Sequence, residues 1–490
     1  MHALVKRLFL LILVLLLGLA AVLVINTLRF HSRQVAAEPV SITVDVEGAA
    51  ERLAGALRFQ TISFQDSAEF NGPEFERFRR YLVETFPRTH AALSRELING
   101  HSLLYRWAGS DTALAPVVLM AHQDVVPIEP GTEGTWAQPP WGGTIADGYV
   151  WGRGAMDDKG NLVAILEAVE TMLARGYTPK RTVYLAFGHD EEVGGPRGAA
   201  RIAATLQSRG VRPWFVLDEG GALVEQMIPG VAAPVALIGV AEKGYMTLEL
   251  SVRTDGGHSS MPPRETAVGI LSEAISELQE HPVPGGIREV TGVMFDYLGP
   301  EMGFLPRLIM ANRWLTKPLV ARMFGQSNEG SAMLRTTTAP TIFQAGVKEN
   351  VLPSSARAIV NFRILPGDSS GFVTDHVRRV IDDPRVEIRN VPPGPREPSP
   401  TSSVASESFA LLQRTIRQVA PTAIVVPWLV VGGTDARNFT GISSEVYRVG
   451  VTRIGPDDTK RAHGTDERVS VEGYADMVRF YVQLLTNAVT

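Results

Sequence analysis

Histidine and carboxylate side chains follow several of the apolar runs in this chain, where the ends of buried strands would expose them. The set is His122, Asp124, Asp157, Glu191, Glu192, Asp218 and His463. Taken singly, each has an ordinary interpretation as a solvated loop acid or a surface histidine. Taken together, in a chain without cysteine, they are the donors that two zinc-like ions sharing one carboxylate require. The sequence therefore predicts a metal centre built from nitrogen and oxygen ligands.

The spacing within this set suggests how its members divide the chemistry. His122 and Asp124 are two residues apart in a strand-like segment. They face the same side, so the carboxylate can accept the imidazole proton and fix its tautomer. Glu191 and Glu192 are adjacent, so their side chains diverge, and one can bind metal while the other acts as a base.

Another acidic pair lies in the turn WGRGAMDDKGN at residues 151–161, directly before a segment with helical apolar spacing. Gly152 and Gly154 let the backbone turn where a side chain would clash. Two interpretations of the pair stay open. Either Asp157 is a metal ligand, or Asp158 caps the helix and Asp157 is its solvated neighbour.

The composition bounds the class of protein. The chain has 490 residues, of which 45% are apolar and 20% charged, with a net charge of -5. This length suggests two or more domains. No basic block points to nucleic acid, and that class of partner is excluded. Because thiolate ligands are absent, any metal must be held by His, Asp or Glu.

The N-terminus predicts a membrane anchor over residues 1–28, followed by a polar stalk over residues 29–45. The unbroken apolar run Leu8–Ile25 would be about 27 Å long as a helix, close to the thickness of a bilayer core. The basic residues before it slightly outweigh those after it, which places the body outside the cytoplasm. A cleaved signal peptide, with secretion of the body, is the alternative.

The order of the apolar runs predicts the fold. Strand-like segments at 117–121, 182–187 and 214–217 alternate with helical segments at 161–175 and 197–209. This alternation is typical of parallel strands with crossover helices, an α/β arrangement in which functional residues gather beyond the carboxyl ends of the strands.

Three segments of the body are expected. Residues 46–242 and 396–490 form one catalytic domain in two parts. Residues 243–395 contain two strand-helix-strand units and form a smaller α+β domain inserted between them. Within the insert, residues 282–334 hold apolar clusters that fit no element of this scheme.

Several motifs occur in an order that resembles a known family. They are HQDVVP, GRGAMDDKG, DEE, DEG, GGHSS, GGTDAR and HGTDE. The chain resembles the aminoacylase/carboxypeptidase family of dinuclear zinc hydrolases after about residue 45. The segment RTTTAPTIFQAGVKENVLPSSARAIVNFRILPGD is most similar to the carboxypeptidase S branch, which also contains an enzyme that joins and splits fatty acids and amino acids.

The resemblance implies roles for particular residues. Asp157 bridges two ions, His122 and Asp218 complete one of them, and Glu192 and His463 complete the other. Glu191 is the general base, and Asp124 is the hydrogen-bonding partner of the histidine. The substrate contacts implied are His258, Asn350, Arg363 and, more weakly, Thr434. The peptide bond between Asp157 and Asp158 is expected to be cis.

The resemblance also implies a fold, a cofactor and a reaction. The fold is a mixed, mainly parallel sheet with helices on both faces and an inserted ferredoxin-like lid or dimerisation domain. The cofactor is a pair of zinc ions, although cobalt or manganese suit the same ligands. The reaction is hydrolysis of the amide bond next to a free carboxylate in N-acyl amino acids or peptide C-termini. A peptidase of ordinary dipeptides, a catalytically silent binding protein and a homodimer stay open.

Overall fold

The computed structural model describes residues 2–489, so Met1 of the predicted anchor and Thr490 of the predicted last segment lie outside the described residues. The α-helices of the described part are α1 (His2–Arg29), α2 (Val46–Ala56), α3 (Gly72–Thr85), α4 (Pro87–Ala92), α5 (Lys159–Ala174), α6 (Ala199–Ser208), α7 (Ala267–Glu280), α8 (Glu289–Leu298), α9 (Phe304–Ala311), α10 (Arg313–Phe324), α11 (Asn328–Leu334), α12 (Ser370–Ile381), α13 (Glu407–Val419) and α14 (Val471–Val489).

The strands of the same part form four sheets. They are β1 (Ser94–Ile98), β2 (Ser102–Trp107), β3 (Val117–His122), β4 (Thr144–Ala146), β5 (Tyr149–Trp151), β6 (Val183–Gly188), β7 (Phe215–Asp218), β8 (Leu223–Val224), β9 (Val235–Glu242), β10 (Gly244–Arg253), β11 (Gly257–His258), β12 (Thr337–Ala345), β13 (Val351–Leu352), β14 (Ser355–Ile364), β15 (Val386–Asn390), β16 (Ile424–Val430), β17 (Val446–Arg448), β18 (Arg453–Ile454) and β19 (Arg468–Ser470).

The largest sheet has ten strands in the order β1-β2-β6-β3-β7-β17-β9-β8-β18, with β16 paired to β9. The pairs β6-β3, β3-β7 and β7-β17 at its centre are parallel. Alternate residues of β3 pack on opposite sides, Leu119 with α5 and α14 and Met120 with α6. Helices therefore cover both faces, and the predicted fold class is confirmed.

Strand β9 is the main element of this sheet that the sequence pattern did not reveal. All eight of its residues are buried, and it pairs with β16, β17 and β8. A strand buried on both faces is a continuous apolar run without alternation, and it lies directly before the alternating strand β10. The sequence pattern revealed only β10, whose alternating residues begin just after Lys243.

A second sheet has four antiparallel strands in the order β12-β14-β10-β15. In chain order its elements are β10, α7, β12, β14, α12 and β15, a strand-helix-strand arrangement repeated twice. The helices α7 and α12 pack on it through a core of their own that includes Leu250, Leu271 and Val377. This sheet is joined to the large one by the direct passage from β9 into β10.

The unassigned apolar segment at 282–334 folds into the four helices α8 to α11. Helix α8 packs on β16 of the large sheet, and its buried residues Met294 and Phe295 join the main core. Helix α9 packs against α1. Residues Ala3–Arg29 of α1 are long and apolar enough to cross a membrane, a property that signal sequences share.

Candidate metal centre

Three neighbouring parallel strands bring four of the predicted residues to one edge of the large sheet. His122 is the last residue of β3 and Asp218 the last residue of β7. Glu191 and Glu192 form a short 3-10 turn just after β6. Because β6, β3 and β7 run parallel side by side, their carboxyl ends meet at this edge. Asp157 reaches it from the turn before α5.

The distances identify Asp157 as the shared group. Its Oδ1 lies 2.9 Å from His122 Nε2, and its Oδ2 lies 3.1 Å from His463 Nε2. His463 Nε2 is also 3.2 Å from Glu192 Oε2. Ligand atoms of His122, Asp157 and Glu192 lie within 4.8 Å of one another. One carboxylate thus faces a different histidine with each oxygen, as a bridging ligand does.

Asp218 is the fifth predicted ligand. Its side chain is buried, and its Oδ2 accepts a hydrogen bond of 2.7 Å from Ala436 N. Burial raises its pKa, while the nearby charge of His122 lowers it. Asp218 is therefore close enough to His122 for its charge to matter. One of its oxygens is hydrogen-bonded to the loop after β16.

The donors fit a divalent metal ion. Burial, together with the neighbouring acids, raises the pKa of Glu191 to about 8 and also raises that of Glu192. Glu192 Oε1 is buried and has no hydrogen-bond partner among the described residues. So many buried carboxylates repel one another unless positive charge lies between them. Imidazole and carboxylate ligands without thiolate suit zinc.

The structure does not support the interpretation of Asp158 as a side-chain cap of α5. Asp158 occupies the position before α5, but its side chain makes no capping hydrogen bond. Its Oδ2 instead accepts a 3.2 Å bond from the backbone N–H of His122. The peptide bond between Asp157 and Asp158 is cis, as the resemblance implies.

Asp124 contacts both halves of the cluster. His122 Nδ1 lies 2.9 Å from the Asp124 backbone oxygen and 3.4 Å from its Oδ1. The backbone N–H groups of Glu191 and Glu192 donate to the same carboxylate at 3.2 and 3.0 Å, and Ser63 Oγ donates at 2.5 Å. Asp124 therefore positions the acid pair as well as the histidine, which leaves Nε2 free to face the centre.

Glu467 is absent from the predicted set, yet it holds the turn that carries Asp157. Its Oε1 accepts the backbone N–H groups of Met156 and Asp157 at 2.8 and 3.1 Å. Its Oε2 accepts from Arg153 at 2.7 Å, and both side chains are buried. The only sequence signal for Glu467 is its place at the end of HGTDE.

A buried ion pair supports the loop that contacts Asp218. Arg448 Nε donates to Glu242 Oε1 at 2.6 Å, and both side chains are buried. The predicted substrate residue Thr434 is buried as well, and its hydroxyl donates to the same Glu242 oxygen at 2.7 Å. The Thr434 hydroxyl also accepts the N–H of Ala436 at 3.3 Å. In this structure Thr434 fixes the shape of its loop.

Glycines and a neutral histidine complete the packing beneath the acid pair. A Cβ at Gly195, whose φ is 72°, would overlap the buried carboxylate of Asp435. His189, which directly precedes the DEE motif, is also buried, and its Nδ1 lies 2.6 Å from Ser102 Oγ. Burial lowers the pKa of His189 to about 4, so this ring stays neutral at physiological pH.

Arginine side chains lie beside the predicted base. The Arg363 guanidinium lies 4.8 Å from the centre of the Tyr245 ring, and that of Arg396 lies 5.6 Å from the same ring. Arg437 Nη2 is 3.6 Å from Glu191 Oε1. Burial and the charge of Arg437 lower the pKa of Arg363, although it remains a cation. The predicted residue Arg363 thus belongs to a cationic group that borders the acidic cluster.

His258 and Asn350 lie elsewhere. They sit at the exposed two-stranded ribbon of β11 and β13. Ser259 N donates to the Asn350 oxygen at 3.3 Å, and Ser260 Oγ lies 2.8 Å from His258 Nδ1. Among residues 2–489, neither side chain has a hydrogen bond or ion pair with the metal cluster. The structure brings these two predicted residues together but not to the centre.

Comparison with known proteins gives consistent findings. A family model described as peptidase family M20/M25/M40 matches residues 118–487. "Probable carboxypeptidase S-like 2" of Dictyostelium discoideum is 43% identical over 485 residues, covering 96% of this chain and 92% of that protein. Human "N-fatty-acyl-amino acid synthase/hydrolase PM20D1" is 40% identical over 446 residues, covering 90% and 88%.

The fold agrees with a solved structure as well. The M20 family metallo-carboxypeptidase Sso-CP2 from Sulfolobus solfataricus has a TM-score of 0.65 and 19% identity. The match covers 89% of this chain and 98% of that one. At this identity the likeness shows the fold alone.

Proposed function

Because this chain belongs to peptidase family M20/M25/M40, we propose that its centre hydrolyses N-acyl amino acids next to their free carboxylate. The chain is a metal-dependent hydrolase of this family, and the predicted family and enzyme class are confirmed. The observation that supports the specific reaction most is the juxtaposition of three parts. They are a shared carboxylate at Asp157, a buried acid at Glu191 and a cationic group at Arg363.

Five residues would hold two ions. Asp157 would bridge them, His122 and Asp218 would complete one, and Glu192 and His463 the other. The chemistry that a bound metal pair supplies is acidification of water and polarisation of a carbonyl oxygen. Zinc is the proposed metal, and cobalt or manganese suit the same donors.

Glu191 would carry the proton. It is adjacent to a proposed ligand but makes no hydrogen bond to either histidine of the cluster among the described residues. The Asp124 carboxylate accepts the Glu191 backbone N–H at 3.2 Å and so holds the short turn from which the Glu191 side chain projects. Glu191 would accept a proton from the attacking water and deliver it to the leaving amine, so that it serves as base and then as acid.

The cationic group would select the substrate. A guanidinium offers a planar fork of N–H donors that matches a carboxylate, and that of Arg363 lies over the Tyr245 ring, 4.8 Å from its centre. We expect it to bind the free carboxylate of the amino-acid part. After movement of the four-stranded sheet, or from a second subunit of a homodimer, His258 would reach the oxygen of the carbonyl under attack. Asn350 would join Arg363 at the polar end of the substrate.

The acyl group is proposed to be a fatty acid. Relatives named as N-fatty-acyl-amino acid synthase/hydrolase are up to 41% identical over 446 residues. Helix α1 would anchor the enzyme in a bilayer with its body outside the cytoplasm, close to lipid substrates. Relatives named carboxypeptidase S favour a second candidate, the removal of C-terminal residues from short peptides.

The test compares the full chain with Glu191→Gln. Both are assayed for metal content and for hydrolysis of N-acyl amino acids of graded chain length and of dipeptides. We expect two metals per chain in both proteins and loss of activity in the variant by about 10²- to 10⁴-fold. Glu273→Gln on the exposed face of α7 is the matched control and should retain activity. Higher kcat/KM on dipeptides would move the assignment to the peptidase.

A further inference from the structure

Helix α10 carries an apolar surface that the described chain covers only in part. Leu315, Leu319 and Met323 recur four residues apart, so they lie along one face of the helix. Their side chains are 48%, 48% and 56% exposed, and that of Trp314 beside them is 62% exposed. Val320 on another face is buried. We call Trp314, Leu315, Leu319 and Met323 the α10 stripe.

The start of α10 is fixed to the end of α1. Asn312, which is buried, donates from Nδ2 to the Leu23 backbone oxygen at 3.0 Å. Asn26 Nδ2 donates to Asn312 Oδ1 at 2.9 Å, and Trp314 Nε1 donates to the same oxygen at 3.3 Å. One buried amide thus joins the stripe to the last turn of the apolar run in α1.

Ion pairs of Asp296 also join the start of α10 to the segment after α1. Asp296 of α8 pairs with Arg313, the first residue of α10. It also pairs with Arg33 at 3.3 Å, just beyond the end of α1. Helix α9 adds the bond from Arg307 Nη2 to the Phe30 oxygen at 2.6 Å. The position of α10 relative to α1 is therefore set by several polar contacts.

This attachment sets the level of the first residue of the stripe, Trp314, relative to a bilayer. The apolar run of α1 ends at Ile25, so when α1 spans a membrane the edge of the hydrocarbon lies near Asn26. Trp314 is held at that level, where an indole with one polar N–H and a large apolar ring is favoured. The exposed Lys317 and Arg322 on the same helix match the charge of anionic headgroups.

We propose that the α10 stripe lies in the interface of the bilayer that α1 spans, so that α10 is a second membrane contact. The inference rests on the proposed anchor and goes beyond it, since one spanning helix leaves the body free to tilt. Two contacts would fix the body against the surface. The continuity of the stripe with α1 favours lipid over a second copy of the chain as its occupant.

The absence of cysteine from the chain makes a site-specific test direct. The full chain is prepared as Leu315→Cys, Leu319→Cys, Leu16→Cys within α1, and Val347→Cys as the matched exposed control. Val347 is apolar and 95% exposed, but it lies beyond β12 in the four-stranded sheet. Each protein is spin-labelled in nanodiscs of anionic phospholipid, and the accessibility of the label to oxygen and to a water-soluble nickel chelate is measured.

We expect the oxygen-to-nickel ratio at positions 315 and 319 to rise above that at 347 and towards that at position 16. A ratio equal to that at 347 would place the stripe in water and overturn the inference while α1 still spans. Low accessibility to both reagents would mean that protein covers the stripe, which also overturns it.

Loss of the label at position 16 through cleavage would defeat the anchor proposal separately. The labels at 315 and 319 are then measured after addition of anionic vesicles. A raised ratio would still support a lipid contact at α10, and an unchanged ratio would overturn it.

Discussion

Glu467→Gln tests whether the position of Asp157, the proposed bridging ligand, depends on a carboxylate from a distant loop. Glu467 is 310 residues from Asp157, yet its Oε1 accepts the backbone N–H of that residue and of Met156. Its Oε2 pairs with the buried Arg153. Glutamine has the same shape but only one acceptor oxygen. Whichever way the amide lies, an N–H group of the variant faces another donor.

The expected loss in free energy of unfolding follows from the burial of the Glu467–Arg153 ion pair. Removing one partner of a buried ion pair costs about 3–5 kcal/mol, because the remaining charge has no compensation. This corresponds to roughly two to three and a half powers of ten in an equilibrium constant. The turn that Glu467 holds presents Asp157, so metal affinity should fall as well, by about 10- to 100-fold as for other outer partners of ligands.

The assay separates the two effects. Urea unfolding with zinc present, followed by tryptophan fluorescence and circular dichroism, measures the free energy of unfolding. Competition with a chromogenic chelator measures zinc affinity. The matched control is Glu225→Gln, which breaks a pair with Arg453 of 2.6 Å whose side chains are 41% and 37% exposed. We expect a cost of at most about 1 kcal/mol there.

Equal losses of free energy of unfolding in Glu467→Gln and Glu225→Gln would refute this prediction. A large loss of stability with unaltered zinc affinity would refute the second step alone, since Glu467 would then support the fold without positioning Asp157.

Three further predictions concern metal, pH and the loop of Thr434. Removing metal with a chelator should destabilise the protein, by about 2.7 kcal/mol relative to free zinc at a hundred times its Kd, and an unchanged thermal midpoint would contradict bound metal. Burial lowers the pKa of Lys243 to about 7, so between about pH 7 and 10.5 the unfolded chain binds more protons and stability rises with pH. Lys243→Met should reduce that slope by up to about 1.4 kcal/mol per pH unit, as measured by urea unfolding at several pH values. Thr434→Val removes the hydroxyl bonded to Glu242 and Ala436 and should cost about 1 kcal/mol, and the same unfolding assay with no change would show that the loop holds without it.

The local sequence pattern was sufficient to predict structural elements that depend on one short segment. The apolar runs at 117–121 and 182–187 became β3 and β6 with only small shifts of their ends. The glycine turn before α5 presents an acidic pair as expected. These features depend on spacing and on residue type within a few neighbours, and both are written directly in the sequence.

The predicted site residues come from distant parts of the chain, and folding brings only some of them together. His122, Asp157, Glu192 and His463 meet at the predicted centre. His258 and Asn350, predicted from the same resemblance, lie on an exposed ribbon without contact to it among the described residues. Their motifs indicate a role, but the position of one sheet relative to another is not a local property.

The sequence by itself determined the ligand types, the strands and helices that carry them, and the apolar helix at the N-terminus. Only the tertiary structure decided that Glu467 holds the turn of Asp157, that Arg448 pairs with Glu242, and that Asn312 ties α10 to α1. These partners are separated by 206 to 310 residues. No periodicity or motif links such positions, because a buried charge or amide finds its partner only when packing brings the two chain segments together and excludes water.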